Sequence, residues 1–407
     1  MLHPEPWGDR ERPVCPLMLS PSTLLTVLAA LVIVAVVLAI ALFFIKLVHR
    51  RRIRAIGVRR AHYIGALGEL VARNALPMSS LTGWGDDPVF LEVLFDFLTI
   101  VTGDERATLD RLIERLDLPA KLAEDVRGSR RLRKRLQALG YLVEIADEDV
   151  EDLFLGCLDD DVVEVRLHAA RGLARVGNPE SVGKILDRME HEEPWVADRL
   201  ADVLVGYGPA AVPALSQYLL LSQFDPRRDA ELLRDITRVL GLIGDLSAEP
   251  ALLSMVEADE RLLRIGAASA LGSAGTPASV PALLQALEDP DWRVRARAAD
   301  SLGVFSDPRA IEPLGIALRD RAWWVRQDAA KALANHLGGE ARLIEALGDA
   351  DPYARDAALH QLGLKGTVRD AYRRIEAGTG TELDQRILRA ALESGAPNSA
   401  ELSELAG

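Results

Sequence analysis

One short pattern recurs along most of this chain about every 31 residues. With Arg295 as position 0, it places Ala298 and Ala299 at +3 and +4, and Leu302 and Gly303 at +7 and +8. The equivalent anchors are Arg166, Asp198, Leu233, Arg264, Arg326 and Arg355. The three steps from Leu233 to Arg326 are 31 residues each, and the other steps differ from this length by a few residues. Such regularity predicts a stacked repeat array, for which an extended binding surface is more typical than an enclosed active site.

Each repeat is predicted to be a helix, a turn and a second helix. Positions 0, +3, +4 and +7 lie on one face of a helix, so the pattern describes its buried stripe. Glycines at +8 (Gly241, Gly272 and Gly303) are predicted to end that helix in a left-handed conformation. The next helix is predicted to start at Asn178-Pro179, Thr276-Pro277 and Asp307-Pro308, where a capping residue precedes proline. Without an intervening strand pattern, the predicted fold class is all-α, an α-solenoid.

The segment 287–303, LEDPDWRVRARAADSLG, and its equivalents over 150–365 resemble the HEAT repeat. The form is the short one found in phycobilisome-lyase-type HEAT-like proteins, here in a membrane-anchored, bacterial type of chain. The resemblance implies helix–turn–helix repeats. It implies no single activity, because such arrays host unrelated functions.

A hydrophobic segment near the N-terminus predicts one transmembrane helix. Residues 24–45 carry no charge, and only Thr26 is polar. As a helix they span roughly 33 Å, enough to cross a bilayer core. Residues 46–60 hold seven Lys and Arg, whereas residues 1–23 hold two. This asymmetry predicts a single-pass protein of the inner (cytoplasmic) membrane, with its N-terminus outside and the solenoid in the cytoplasm. The alternative, a cleaved signal peptide, lacks the basic leader and small-residue cleavage site.

The charge distribution limits the partners of the chain. Residues 1–60 carry a net charge of +6 and residues 61–407 a net charge of −19, which sum to the overall −13. The basic segment predicts contact with anionic lipid near Arg50, Arg51, Arg52 and Arg54. An acidic array repels a phosphate backbone, so no nucleic-acid partner is expected. The two cysteines, Cys15 and Cys157, are predicted on opposite sides of the membrane, which argues against a disulfide.

These patterns divide the chain into six predicted segments. They are an extracytoplasmic segment (1–23), the transmembrane helix (24–45), a basic juxtamembrane helix ending at Pro77 with its linker (46–87), a helical N-terminal cap (88–149), the repeats (150–365), and a C-terminal cap helix and tail (366–407). Inside the N-terminal cap, a degenerate repeat is predicted with Leu132 as its anchor. The caps are expected because an end repeat must cover its apolar face.

No catalytic or metal-binding motif is found in the sequence. The HEAT-like deoxyhypusine hydroxylases bind two irons through several His-Glu pairs, and this chain has one pair, His191-Glu192, predicted to lie in a solvated turn. We therefore expect no cofactor, no metal and no enzymatic activity.

The anchor arginines form a column along the array. Arg166, Arg264, Arg295, Arg326 and Arg355 occupy position 0 of their repeats. One interpretation is a structural ladder to turn carboxylates such as Asp289, Asp291, Asp320 or Asp351. The other is a row that binds anions or an acidic peptide, which makes Arg264, Arg295, Arg326 and Arg355 candidate partner-binding residues.

Aromatic residues form a second column, just before the anchors. Trp195, Trp292 and Trp323 lie at −3, and Trp324 and Tyr353 lie at −2. They either plug the turn between helices or form an edge that binds a partner, because Trp, Tyr and Arg dominate interface hot spots. The predicted function is a membrane-tethered, non-catalytic scaffold for a protein partner. The alternative is an accessory or lyase-like protein acting on a small cofactor or chromophore.

Overall fold

The computed structural model describes residues 21–73, 83–222 and 230–393. The regular structure in these ranges is helical throughout, without a strand, which confirms the all-α prediction. The chain divides into two compact units, residues 1–118 and residues 119–407. This division falls inside the predicted N-terminal cap (88–149), because residues up to Leu118 cluster with the N-terminal unit.

The first unit contains one very long helix and two shorter ones. They are α1 (Pro21–Arg73), α2 (Pro88–Leu98) and α3 (Asp104–Arg115), with a 3₁₀ turn at Trp84–Asp86. The part of α1 from Ile33 to Arg73 is long and apolar enough, by length and composition, to cross a membrane. The helix continues without a break from the apolar run into the basic segment. The predicted helix end at Pro77 lies outside the described residues.

The C-terminal part of α1 belongs to the folded core of this unit. Tyr63, Leu67 and Leu70 are buried and lie at helical spacing on one face. The Tyr63 ring packs edge-on against Phe90 of α2, with 5.3 Å between ring centroids. Arg60 on the same helix forms ion pairs with two carboxylates of α2, and the distance to Asp96 is 2.7 Å. The apolar run and the core of the first unit therefore share one continuous helix.

The second unit is the repeat array. In chain order its helices are α4 (Leu118–Gly128, which begins at the unit boundary), α5 (Leu132–Glu144), α6 (Glu151–Cys157), α7 (Val163–Val176), α8 (Glu180–Met189), α9 (Pro194–Val205), α10 (Val212–Ser222), α11 (Ala230–Ile243), α12 (Glu249–Val256), α13 (Arg261–Ala274), α14 (Val280–Ala286), α15 (Trp292–Phe305), α16 (Ile311–Ala317), α17 (Trp323–Asn335), α18 (Gly339–Ala346), α19 (Pro352–Lys365), α20 (Thr367–Glu376) and α21 (Glu382–Glu393). The odd-numbered helices α5 to α19 carry the repeat pattern, and we call them the motif helices. Each motif helix packs against the next one.

The buried stripe of the motif helices lies where the spacing predicts it. In α15, Ala298, Ala299 and Leu302 are completely buried. The start signals are also confirmed: Thr276 and Asp307 cap the backbone N–H groups two residues ahead, at 3.2 and 2.8 Å. The first turn after each of these two caps is a 3₁₀ turn, and the α-helix follows directly.

The predicted role of the glycines at +8 is wrong. Gly241, Gly272 and Gly303 lie inside motif helices, which continue past them. Their function is close packing, because a Cβ added to Gly303 would lie 2.9 Å from the Cα atom of Ala332 in the next motif helix. The left-handed residues at the helix ends lie at +11 instead: Gly177, Gly244, Ser306 and Gly366.

Candidate protein-binding edge

Each anchor arginine braces the turn that precedes its own motif helix. In each case Nη1 donates a hydrogen bond to the carbonyl oxygen six residues earlier. The distances are 2.7 Å for Arg166, 2.9 Å for Arg264, 2.7 Å for Arg295, 2.8 Å for Arg326 and 2.8 Å for Arg355. This contact holds the turn that precedes the motif helix against the start of that helix.

Several of these arginines also bind a carboxylate in the turn that precedes the next motif helix. Arg264 pairs with Asp289 at 2.7 Å. Arg295 donates two hydrogen bonds to Asp320, from Nε to Oδ2 at 2.7 Å and from Nη2 to Oδ1 at 2.9 Å. In both pairs the carboxylate lies 25 residues beyond the arginine. We call this series of pairs the Arg ladder, and it confirms the structural interpretation of the arginine column for Asp289 and Asp320.

The other two carboxylates suggested for the ladder have a different role. Asp291 and Asp351 accept hydrogen bonds from the backbone N–H groups of Arg293 and Tyr353, at 2.8 and 2.9 Å. They are therefore N-caps of the motif helices α15 and α19. N-terminal capping satisfies a backbone donor that has no partner within the helix.

The ladder extends into the segment predicted as a cap. Arg135 forms an ion pair with Asp160, which has the same separation along the chain as the pairs of Arg264 and Arg295. Counted from Arg135, Ala138, Leu139 and Leu142 fall at +3, +4 and +7, and all three are buried. The anchor of this repeat is therefore Arg135, three residues after the predicted Leu132.

The two side chains of the His191-Glu192 pair have different environments: one is exposed to solvent and the other belongs to the Arg ladder. His191 is exposed, whereas the Glu192 side chain is 3% exposed and contacts Arg166, with 2.6 Å between Oε1 and Nε. Arg188 also donates to Glu192, at 2.7 Å. Burial would raise the pKa of Glu192, but the hydrogen bonds from Arg166 and Arg188 outweigh burial and lower that pKa below its ordinary value. The prediction of a solvated turn is therefore wrong for Glu192, which takes the ladder position in its repeat.

The aromatic column lies at the surface. Trp195, Trp323, Trp324 and Tyr353 are each more than half exposed, and Trp292 is partly buried. All five lie in the first turn of a motif helix, and for all except Trp195 an anchor arginine braces the turn just before that helix. We call these five residues the aromatic edge. The rings of Trp323 and Trp324 meet edge to face, with 4.6 Å between centroids. The Arg293 guanidinium lies over the Trp292 ring, at 4.9 Å from its centroid.

Three features of the described ranges bear on small-molecule binding: the metal-ligating side chains, a cysteine and a groove. Over residues 21–73, 83–222 and 230–393, no group of His, Cys, Asp and Glu has the arrangement of a metal site. Cys157 is buried, and desolvation raises the pKa of its thiol, which disfavours the nucleophilic thiolate. An open groove of about 470 Å³ lies beside Cys157 and is lined by Arg127, Arg135 and Asp152, among other residues.

Comparison with known proteins identifies the family. The model for HEAT repeats matches residues 121–205, 150–234, 219–287 and 280–342. Together these matches cover residues 121–342, more than half of the 407 residues. The chain therefore belongs to the HEAT-repeat proteins. No curated protein matches it.

Several solved structures are similar to the array at low sequence identity. Importin beta is 15% identical, with 81% of this chain and 53% of the importin covered and a TM-score of 0.47. The CpcE–CpcF complex of phycocyanin lyase from Nostoc sp. PCC7120 is 21% identical, with 61% and 94% covered and a TM-score of 0.29. Human deoxyhypusine hydroxylase is 17% identical, with 62% and 98% covered and a TM-score of 0.28.

Proposed function

We propose that this protein is a membrane-tethered, non-catalytic scaffold that binds a protein partner along the aromatic edge. The observation that carries the proposal is the exposure of Trp195, Trp323, Trp324 and Tyr353, whose rings lie more than half in solvent. Large aromatic side chains at the surface are the residue types that dominate binding energy at protein interfaces. Three consecutive repeats present aromatic residues at equivalent positions (Trp292, then Trp323 with Trp324, then Tyr353), so one extended partner could contact several of them.

The Arg ladder supports this function by holding the edge in place. The donors of Arg264 and Arg295 are used within the protein, on turn carbonyls and on Asp289 and Asp320. The turns that carry the aromatic residues are thereby fixed before a partner arrives. A preformed surface loses less conformational entropy on binding, which favours affinity. We assign these two arginines to the support of the edge rather than to direct contact with the partner.

The tether in this proposal is α1. Its apolar part would cross the inner membrane, and the exposed Arg50, Arg51, Arg52 and Arg54 would lie among anionic lipid head groups. The solenoid would then stand in the cytoplasm, and tethering would raise the effective concentration of the partner at the membrane. The alternative of a lyase-like or accessory role with a small cofactor remains a prediction.

Removing the exposed indoles tests the binding surface. We expect the double variant Trp323→Ala, Trp324→Ala to lose the partner, with affinity weakened at least about 30-fold, because an interface hot spot contributes about 2 kcal/mol or more. The measurement compares how much partner is recovered with the variant and with the wild type from detergent extracts, by quantitative mass spectrometry. The melting temperature should change little, because both side chains are half exposed.

The matched control for this experiment is Ile316→Ala. Ile316 is a similarly exposed apolar residue on α16, outside the aromatic edge. Its replacement should leave partner recovery unchanged. Equal recovery of the partner with the double-tryptophan variant and the wild type would contradict the proposed binding surface. A melting temperature lowered as far as by a core truncation would show that the indoles serve packing instead.

Fusion reporters test the proposed topology. A reporter that is active only in the cytosol should be active when fused after Gly407, because positive charge is retained on the cytoplasmic side of a membrane helix. Replacement of Arg50, Arg51, Arg52 and Arg54 by glutamine should reduce that activity, since it removes most of the charge asymmetry. An inactive cytosolic reporter together with an active periplasmic reporter at the same position would overturn the orientation.

A further inference from the structure

The Arg ladder is interrupted at Arg326. Among the described residues, Arg326 donates from Nη1 to the carbonyls of Asp320 and Arg321 but has no carboxylate partner. Its Nε is shielded from solvent and has no hydrogen-bond partner in this part of the chain. The residue is nonetheless buried, with only 8% of its surface exposed. A buried guanidinium donor without an acceptor costs free energy, which sets this position apart from Arg264 and Arg295.

The interruption has a cause that can be read from the repeat length. The carboxylate that binds Arg295 lies 25 residues further on. The equivalent Asp349 lies two residues closer to Arg326, because the repeat between Arg326 and Arg355 is two residues shorter than the preceding ones. Asp349 instead accepts from Arg319, at 2.6 Å. Arg326 therefore occupies a ladder position and keeps the bond to the turn carbonyl, but the equivalent carboxylate pairs with Arg319 instead. We call Arg326 the open rung.

The open rung lies within the most exposed part of the aromatic edge. The Arg326 guanidinium lies 4.9 Å from the centroid of the Tyr353 ring. Trp323 and Trp324 precede Arg326 in the first turn of α17. Tyr353 is 62% exposed, so its ring can rotate away from the guanidinium without disturbing the core. An apolar contact surface and an unsatisfied, permanently charged donor therefore occur together.

We propose that the open rung binds an aspartate or glutamate side chain of the protein partner, while Trp323, Trp324 and Tyr353 contact the apolar residues beside it. This inference rests on the proposed function and specifies the chemistry of the partner. The internal pairs are the model for this contact: Arg295 binds Asp320 through Nε and Nη2 at 2.7 and 2.9 Å. Among the described residues, Arg326 forms no such pair, and its Nε has no hydrogen-bond partner. A planar guanidinium suits such two-point binding of a carboxylate.

The acidic character of the array does not prevent this contact. Charges separated by more than about 8 Å are largely screened at physiological ionic strength, so the net −19 of residues 61–407 acts weakly at a specific site. The two ladder carboxylates on either side of Arg326 along the chain are already paired, Asp320 with Arg295 and Asp349 with Arg319. Arg321, which is exposed beside the edge, adds positive charge there.

The experiment uses the full-length protein in detergent micelles and two pools of synthetic peptides. Both pools have amidated C-termini and random flanks rich in aromatic and aliphatic residues, and they differ only in a central Glu or a central Gln. Amidation removes the terminal carboxylate, so the central side chain is the carboxylate under test. We expect the Glu pool to bind at least about tenfold more tightly, because hydrogen bonds to charged groups outweigh neutral ones by that order.

Three variants locate the origin of this preference. Arg326→Gln should reduce the Glu-to-Gln affinity ratio to about one, because the neutral side chain retains no two-point binding of a carboxylate. Arg326→Lys should give a smaller ratio than wild type, because it keeps the charge and loses the planar pair of donors. The matched control is Lys331→Gln, which removes a cation from the same helix at a position outside the aromatic edge and the Arg ladder, where the amine pairs with Asp300 at 2.7 Å. It should preserve the ratio, because Lys331 takes no part in the proposed carboxylate site.

The outcomes separate this inference from the proposed function. If the wild type binds the Glu and Gln pools equally, the role of the open rung is overturned. If the double variant Trp323→Ala, Trp324→Ala then binds neither pool, the aromatic edge is still the binding surface. An unchanged ratio in Arg326→Gln would also overturn the role of the open rung. If neither pool binds the wild type, the carboxylate proposal fails, whereas recovery of the intact partner decides the scaffold function independently.

Discussion

Replacing Arg166 by methionine is expected to lower the free energy of unfolding of the array by about 3–5 kcal/mol, because it leaves a buried carboxylate without its main partner. The Arg166 and Glu192 side chains are 7% and 3% exposed. Methionine has a similar length, so the effect arises from lost charge and hydrogen bonds more than from a cavity. Glu192 would keep Arg188, and the carbonyl of Asp160 would lose its donor.

Chemical denaturation followed by circular dichroism in the far ultraviolet measures this effect on the full chain in detergent. The matched control is Lys331→Met, which also replaces a paired cation on a motif helix. The Lys331 and Asp300 side chains are 58% and 39% exposed, so the loss of their pair should cost no more than about 1 kcal/mol. Equal destabilisation by the two substitutions would show that the ladder contributes no more than an ordinary surface pair.

The sequence predicted the fold well because its main signal is periodic. A buried stripe that recurs about every 31 residues leaves few alternatives to stacked helix pairs, and the positions of Ala298, Ala299 and Leu302 follow directly from helical geometry. The caps at Thr276 and Asp307 were also predictable, because a capping side chain satisfies the backbone donors next to it. Local chemistry repeated at a fixed period is the kind of information that a single sequence contains.

Three sequence expectations differ from the structure, each for its own reason. A glycine at +8 is compatible with a helix end or with close packing, and only the neighbour at Ala332 decides between them. The anchor Arg135 was missed because its repeat lacks the second alanine, with Leu139 in its place at +4. The predicted N-terminal cap was divided because the face of α1 that carries Tyr63, Leu67 and Leu70 was not recognised as a packing surface.

The most specific feature of the candidate site was present in the sequence but not interpretable there. The step from Arg326 to Arg355 is two residues shorter than each of the three steps of 31 residues that precede it. Its meaning depends on knowing that each arginine reaches a carboxylate 25 residues ahead, which the pairs of Arg264 and Arg295 establish. A shortened repeat is then a change in hydrogen bonding: among the described residues, it leaves the Arg326 guanidinium without a carboxylate, beside the aromatic edge.

Substitution of Gly303 by alanine should destabilise the array, although alanine is the better helix former. Gly303 lies inside α15, and an added Cβ would approach the Cα and Cβ atoms of Ala332 to 2.9 and 3.0 Å. These atoms belong to the backbone and the first side-chain carbon of α17, so relief requires the two helices to move apart. Overpacking of this kind costs about 1–3 kcal/mol. That cost exceeds the helix-propensity gain of about 1 kcal/mol.

The same substitution at Gly363 should have the opposite effect on stability. Gly363 occupies the equivalent +8 position in α19, but a Cβ there would meet no atom within 4 Å. Gly363→Ala should therefore raise the free energy of unfolding by up to about 1 kcal/mol, through helix propensity alone. The two variants share the chemical change, the repeat position and the helical context, so the difference between them isolates the contact between motif helices. Stabilisation by both alanines would show that the motif helices are not in close contact at Gly303, and the packing role assigned to the +8 glycines would have to be abandoned.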